Sequence, residues 1–299
     1  MIEAIPESQV VGFIDPDQTV CRNPWCRLDF SVSSAEEAFQ RGRNDQNFFW
    51  HFFLLRCPHP GQLQYLTEAN ASVNLLACSN RYGKTTMLAG RHFHDNVFKV
   101  GAEERYFDDD LSFNLDSFTR TRYRTVHTAG EWDQASEVWE DAQKLISESA
   151  RLEAFVANIK RSPPYEIEFI HGAKWLFRTL GVRGSGIDGK SFYRLSIDEG
   201  GWILDLESML HNVLLIRVAD VRGQVDIVGT FKPGMAKDFF KLCVRASAAT
   251  GAAIGFDHRS DDDGVEGLDL DAAIRKYAKQ FGFDLDAEIE KARALGIVE

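Results

Sequence analysis

Apolar residues fall along this chain in short blocks separated by polar turns, and their spacing changes character from one block to the next. Val73, Leu75, Leu76 and Ala77 form a run that predicts a short strand, and the stretch from Thr85 to Val100 predicts the helix after it. Between Trp132 and Ala157, the residues Val138, Leu145, Ile146, Leu152, Phe155 and Val156 recur at helical intervals among charged positions. That pattern predicts one or two amphipathic helices, stopped by Ser162, Pro163 and Pro164. Segments 166–170 and 173–178 flank His171 and Gly172 and read as a β-hairpin. A glycine-rich stretch from Gly181 to Gly189 follows, then a strand from Phe192 to Ile197 and another from Val225 to Val228. Strands alternating with helices predict a doubly wound α/β domain, with a mainly parallel sheet and its ligand at the carboxy ends of the strands.

Residues 1–57 show no repeating pattern but are rich in aromatics, among them Trp25, Phe30, Phe39, Phe48, Phe49, Trp50, Phe52 and Phe53, and read as a helical cap on the main domain. Residues 58–250 read as that domain and 251–299 as an acidic, helical linker segment. A chain of 299 residues with 44% hydrophobic and 26% charged side chains is expected to build a large soluble core. The longest apolar cluster, Phe48 to Leu55, is broken by His51 and far too short to cross a bilayer. No signal-peptide pattern opens the chain, so the expected setting is intracellular.

Five cysteines, Cys21, Cys26, Cys57, Cys78 and Cys243, have no disulfide-framework spacing and suit a reducing compartment. Cys21 and Cys26, with Cys57 and His59, could supply four zinc ligands, but thirty residues separate the two pairs; the competing reading is buried free thiols. The net charge of −11 is unevenly spread, because residues 257–299 hold twelve acidic against six basic side chains. Arg120, Arg122 and Arg124 cluster, and residues 151–191 carry seven basic against four acidic groups, so a locally basic surface for a polyanion remains open beside a plain solvated face. Asp108, Asp109 and Asp110 read as a solvent-exposed loop without metal geometry.

The candidate chemistry begins at Cys78, Ser79, Asn80, Arg81, Tyr82, Gly83, Lys84, Thr85 and Thr86. A polar loop between a strand and a helix, ending in Gly-Lys-Thr, is how a backbone cradles nucleotide phosphates; the lysine reaches the β- and γ-phosphates and the first threonine gives a hydroxyl to Mg²⁺. The strict pattern has glycine where Cys78 stands, and a surface turn capped by Ser79 and Asn80 is the plainer alternative. A second element lies 114 residues beyond Lys84, where the apolar run 192–197 leads into Asp198 and Glu199. Two carboxylates at a strand end suit an ATPase, the first supporting the metal and the second polarising water. A third is Thr230, a hydroxyl at the exit of the strand 225–228, placed to sense the γ-phosphate or to serve as an ordinary strand exit. Upstream, Gln62, with Gln64 as competitor, offers an amide that could read an adenine edge.

In this order, the Pro60-Gly61-Gln62 segment, the loop 79–86, the hairpin, Leu180 to Gly184, Asp198 and Glu199 with Gly200, Gly201 and Trp202, and Gly229-Thr230 with Pro233 and Gly234 resemble the ATPase half of tailed-phage terminase large subunits. The resemblance covers roughly residues 58–245, and the family tolerates a missing first glycine in the loop. It implies a P-loop NTPase fold of the ASCE, RecA-like kind, ATP and Mg²⁺ as ligands, and residues 79–86 with Gln62 around the nucleotide. Lys84 and Thr85 would bind triphosphate and metal, Asp198 would support the metal, Glu199 would activate water and Thr230 would couple hydrolysis to movement. Arg81 would stabilise charge on the γ-phosphoryl group or merely brace the loop, and Arg178 and Arg183 are further candidates for an arginine acting in a neighbour's site.

The resemblance also implies double-stranded DNA as the track, gripped by its phosphates, a homo-oligomeric ring of five subunits, a portal protein and a small terminase subunit as partners, and the cytoplasm of an infected bacterium, transiently at the procapsid portal, as the place of action. The RNase H-like nuclease domain that follows in such proteins is not expected before Glu299. Two rivals belong to other classes. One is a helicase-like or remodelling ATPase with a second RecA-like lobe; the other is a non-catalytic nucleotide-binding scaffold in which Cys78 spoils the loop.

Overall fold

Short apolar strands flanked by longer amphipathic helices can bury both faces only as a layered sandwich, and that is the arrangement adopted. The computed structural model describes residues 12–15, 17–23, 25–78, 82–99, 123–187, 189–230, 237–250 and 287. Ser79, Asn80, Arg81, the 108–110 acidic stretch, Arg120, Arg122 and all of 251–299 but Ala287 lie outside them.

The first elements are β1 (Gly12–Phe13), α1 (Ala35–Asn44), α2 (Gln46–Phe52), β2 (Arg56–Cys57) and α3 (Pro60–Glu68). The central ones are β3 (Val73–Ala77), α4 (Lys84–Phe98), β4 (Arg124–Ala129), α5 (Trp132–Glu148) and α6 (Ala150–Glu153). They are followed by β5 (Val156–Lys160), β6 (Glu166–Phe169), β7 (Lys174–Thr179) and β8 (Arg194–Ile197). The last are α7 (Leu206–Met209), α8 (Leu215–Ala219), β9 (Gln224–Gly229) and α9 (Lys237–Thr250). Seven strands form one sheet in the order β3-β9-β8-β4-β7-β6-β5. Neighbours from β3 to β7 are parallel, and β6 and β5 add an antiparallel edge. This is the mixed α/β, mainly parallel sheet expected from the alternation of elements.

Side chains on successive strand residues point to opposite faces, so each strand feeds two cores. In β7, Trp175 and Phe177 join the aromatic core built with α1, α2, α4 and α5, while Leu176 joins the aliphatic core under α7, α8 and α9. Burial on both faces is what a parallel sheet requires, and every residue of β8 is buried. Among the aromatics of the first 57 residues, Phe48, Phe49 and Trp50 of α2 are fully buried in the first core, and Phe49 and Phe53 meet Phe98 of α4 edge-on, while Trp25 and Phe30 reach it from non-helical segments.

Two expectations change. The helical spacing does not run through to Ala157: α5 and α6 end earlier, and Phe155 leads into β5, whose pairing with β6 makes 161–165 a hairpin turn rather than a helix stop. Strand β4, which no apolar run announced, is the centre of the sheet; it buries Thr125, His127 and Thr128. Their polarity is absorbed by neighbours. Asn96 donates to the Thr125 hydroxyl (2.7 Å), His127 Nδ1 lies 2.8 Å from Ser196 Oγ, and the Thr128 hydroxyl donates to the Ser196 carbonyl (2.9 Å).

A buried charge network ties the amino-terminal halves of the strands to α4. Arg194, 1% exposed, pairs with Asp95 of α4 and Asp226 of β9. Asp226 also pairs with Arg91 (3.2 Å) and accepts from Tyr65 Oη and Asn74 Nδ2 (3.0 Å each). Burial works against the charged form of Asp226, yet Arg194 and Arg91 hold its carboxyl below its ordinary value.

Candidate functional site

The strand β3 ends at Ala77, and α4 starts at Lys84 behind a glycine that only a residue without a side chain occupies cheaply. Gly83 has φ 81°, the left-handed region, and it stands at the N-cap position without a side-chain capping bond. The first-turn N–H groups of this 15-residue helix thus have no side-chain cap, and no acidic residue lies in the turn. A helix amino terminus in that condition attracts anions.

The loop is held from below by a pair of side chains on α3. His59 is the N-cap residue: its Nδ1 accepts from the Gln62 N–H (3.2 Å), and Gln62 Oε1 accepts from the His59 N–H (3.1 Å). With Nδ1 accepting, His59 Nε2 carries the proton and donates to the Tyr82 carbonyl (3.0 Å). Gln62 Nε2 donates to the carbonyls of Tyr82 (3.3 Å) and Gly83 (3.2 Å). The Tyr82 ring packs edge-on against His59, over Gly61, where an added methyl would sit 2.2 Å from the Tyr82 hydroxyl.

Gln62 therefore lies under the loop, fully buried, with both ends of its amide engaged by the backbone. In that position an adenine contact by the Gln62 amide would exchange one of these loop bonds for one to the base. Gln64 is on the outer side of α3, bonded to Glu68 (3.1 Å). His59 reads from the sequence only as a possible zinc ligand; its capping role was missed, although a cap residue before Pro60 with glutamine three positions on was the available signal.

Across the sheet, β9 lies between β3 and β8, so Thr230 sits between the start of α4 and the Asp198–Glu199 pair. Lys84, from the first position of α4, donates to Thr230 Oγ1 (3.0 Å) and lies 3.8 Å from Glu199 Oε1. Thus Lys84, Thr230 and Glu199 meet at the carboxy edge of three adjacent parallel strands. Thr85 and Thr86 follow in the first turn of α4 and are half-buried.

Asp198 continues β8, its N–H donating to the Thr128 carbonyl (3.0 Å), and its Oδ1 accepts from the Glu199 N–H (2.8 Å). Burial pushes the Asp198 carboxyl up to about 6, the Glu199 N–H opposing that and the Glu199 charge adding to it, with Lys84 offsetting part. Glu199 has φ 48°, a left-handed conformation that costs about 1 kcal/mol or more for a residue with a side chain. Its Oε2 is buried with no hydrogen-bond partner among the described residues. A carboxyl whose charged form burial disfavours, beside an orphaned carboxylate oxygen, is a donor set that a divalent cation with its waters would satisfy.

The arginine candidates separate. Arg178 turns back on its own hairpin, donating to the carbonyls of Tyr165 (3.0 Å) and Phe177 (2.7 Å). Arg183 falls in the short 3₁₀ turn Val182–Ile187.

No protein-family model matches this chain, and no curated protein matches it. Among solved structures it is similar to the HK97 bacteriophage large terminase, at 13% identity over 97% of this chain and 51% of that one, with a TM-score of 0.46. It is also similar to the Thermus phage P74-26 large terminase ATPase domain, at 12% identity over 81% of this chain and 94% of that one. The TM-score there is 0.47, and 0.48 for a mutant form of the same domain. The chain spans about half the length of the HK97 protein. The likeness is one of fold, a mostly parallel sheet flanked by helices.

Proposed function

We propose that this chain is an ATP-hydrolysing motor domain of the terminase large-subunit kind, moving double-stranded DNA. The observation that carries the chemistry is the position of Lys84. One ammonium group stands at an uncapped helix terminus and touches both a strand-end hydroxyl and the carboxylate beside Asp198. A triphosphate drawn to that terminus competes for the ammonium. Lys84 then leaves Glu199, whose carboxylate is freed to take a proton from water.

Asp198 and Thr85 would hold Mg²⁺, which when bound supplies positive charge against the phosphates. The Tyr82 and Gly83 carbonyls are fixed by His59 and Gln62, which steadies the backbone that leads into α4 beside the ligand. Thr230 loses or regains Lys84 according to whether phosphate is present, and so reports the nucleotide state to the segment after β9. Arg81 stays the candidate for stabilising charge on the γ-phosphoryl group, in its own site or a neighbour's. From the motif order come the remaining parts of the proposal: a ring of five copies, a portal and a small terminase subunit as partners, sequence-independent phosphate contacts with DNA, and action in the infected cell's cytoplasm.

Steady-state ATP hydrolysis by the full chain, with and without linear duplex DNA, tests this. Mg²⁺-dependent turnover stimulated by DNA is expected. Glu199→Gln should lower it by about 10²-fold or more while keeping nucleotide binding, and Lys84→Ala should weaken binding itself. Turnover unchanged in both variants would sink the assignment of roles, and no hydrolysis by the assembled ring would sink the motor.

A further inference from the structure

In the amino-terminal cap, three thiols and one imidazole come together. Cys21, Cys26, His51 and Cys57 place their ligand atoms within 4.8 Å of one another, three of the residues buried and Cys26 half-buried. We propose that these four residues bind a structural zinc ion.

Three separate pieces of local structure aim them at one point. A bridge between Val20 and Asp29, with the Cys21 N–H on the Leu28 carbonyl (2.8 Å) and the Cys26 N–H on the Asn23 carbonyl (3.0 Å), folds 20–29 into a loop with a cysteine near each end. Arg27 takes a left-handed conformation, φ 50°, where that loop turns back. His51 comes from α2. Cys57 comes from β2, held in register opposite Gly12 of β1.

The imidazole is prepared as a ligand. His51 Nδ1 is 2.7 Å from the Asn47 carbonyl, which can only accept, so the proton is on Nδ1 and the lone pair of Nε2 faces the sulfurs. Cys26 Sγ already lies 3.1 Å from that nitrogen. The Phe30 ring covers the imidazole, centroids 5.6 Å apart.

Zinc bonds of about 2.3 Å to sulfur set sulfur atoms about 3.8 Å apart in a tetrahedron. The cluster reaches that spacing by contracting about 1 Å at most. Three thiolates and one imidazole fill a tetrahedral shell and leave no open position, the composition of a structural site, and soft sulfur donors select zinc over Mg²⁺. A disulfide between two of the thiols would strand the third beside the imidazole. His59, the nearer candidate in sequence, is engaged with Gln62 and the Tyr82 carbonyl instead.

The ion would tie the 20–29 loop, α2 and the β1–β2 pair into one body that ends two residues before His59. Cys57 leads through Pro58 directly into the loop brace at His59, so the site would stiffen the support of the loop before α4 without touching its ligand.

The full chain, produced in zinc-supplemented medium without a metal-affinity tag, should carry one zinc per chain after gel filtration, by elemental analysis. A mercurial thiol reagent should release it. Cobalt exchanged into the same unmutated chain should show the visible bands of a tetrahedral ion and a thiolate-to-cobalt charge-transfer band. Cys21→Ser and His51→Ala should lose zinc, while Cys243→Ser, buried in α9, keeps it. Zinc at trace level after reconstitution, a disulfide among the three cysteines by intact mass under non-reducing conditions, or a cobalt spectrum without the thiolate band would each overturn the proposal, whether or not any variant folds.

Discussion

Replacing Asp198 by asparagine is expected to stabilise the ligand-free protein while removing the Mg²⁺-dependent turnover proposed above. The Asp198 side chain is buried, at 4% exposure, and burial is the main reason its carboxyl rises from 3.8 to about 6. Asparagine keeps an oxygen for the Glu199 N–H and has no charge to desolvate. A raised carboxyl means that the folded protein holds this proton more tightly than the unfolded chain between about pH 4 and about pH 6. Stability therefore falls as pH rises through that window, and the whole penalty is present above it. At about 1.4 kcal/mol per pH unit, the gap is about 3 kcal/mol. The variant should gain up to that amount at about pH 7.5 and almost nothing near pH 4, where Asp198 is already neutral. With a urea dependence of about 3 kcal/mol per M, the midpoint moves up by roughly 1 M. Tryptophan fluorescence during urea unfolding, in chelator and at stepped pH, reads both proteins. A difference that is the same at every pH, or an asparagine variant that unfolds before the parent at neutral pH, refutes the reasoning.

Arg194→Met leaves Asp95 with only the exposed Lys99 ammonium (3.3 Å) as a Lys or Arg partner and Asp226 with Arg91 as its remaining ionic partner; a loss of about 3–5 kcal/mol in urea unfolding is expected, partly recovered by adding Asp95→Asn, and a loss below 1 kcal/mol would mean the network is solvated. Gln62→Ala frees one donor's hold on the Tyr82 and Gly83 carbonyls, worth about 1–3 kcal/mol locally; amide exchange over 82–86 should quicken and nucleotide affinity weaken, and unchanged exchange would show that His59 suffices. Thr230→Val removes the hydroxyl that Lys84 contacts; ATP turnover should persist while its stimulation by duplex DNA is lost, and full stimulation would place the coupling elsewhere.

Elements whose polarity pattern matched their environment were legible in the sequence. Strand β3, the helix after Gly83 and strand β8 with its terminal acids all appeared as apolar runs with punctuated ends, and their chemistry-bearing residues followed. Strand β4 was hidden because Thr125, His127 and Thr128 make it read as polar, although each is satisfied by a neighbour that only the fold supplies. Strand β5 was mistaken for helix because Phe155 and Val156 happen to continue the α5 spacing, while edge pairing with β6 decided their state. The cysteine cluster was half legible: three sulfurs were visible as candidates, but the fourth ligand depends on α2 folding over the β1–β2 pair. Proximity in sequence pointed to His59, and proximity in space selects His51.

The same elements are joined at both ends of the sheet, and the two junctions differ in what it costs to change them. At the amino ends, Arg194 of β8, Asp226 of β9, Asn74 of β3 and the α4 residues Arg91 and Asp95 form a network that is almost wholly buried. Parting any pair there leaves an uncompensated charge, at several kcal/mol. At the carboxy ends Lys84 bridges Thr230 and Glu199, with Glu199 partly exposed and the ion pair at 3.8 Å, contacts that a phosphate can replace one for one. A ligand's differential contacts must exceed the cost of the change they drive, so movement in response to nucleotide belongs at the second junction and the first acts as its pivot. Nucleotide should accordingly alter amide exchange at 82–86, 198–202 and 230, and leave 91–96, 194–195 and 225–226 as they were. Changes centred on the second set would reverse the assignment of pivot and lever.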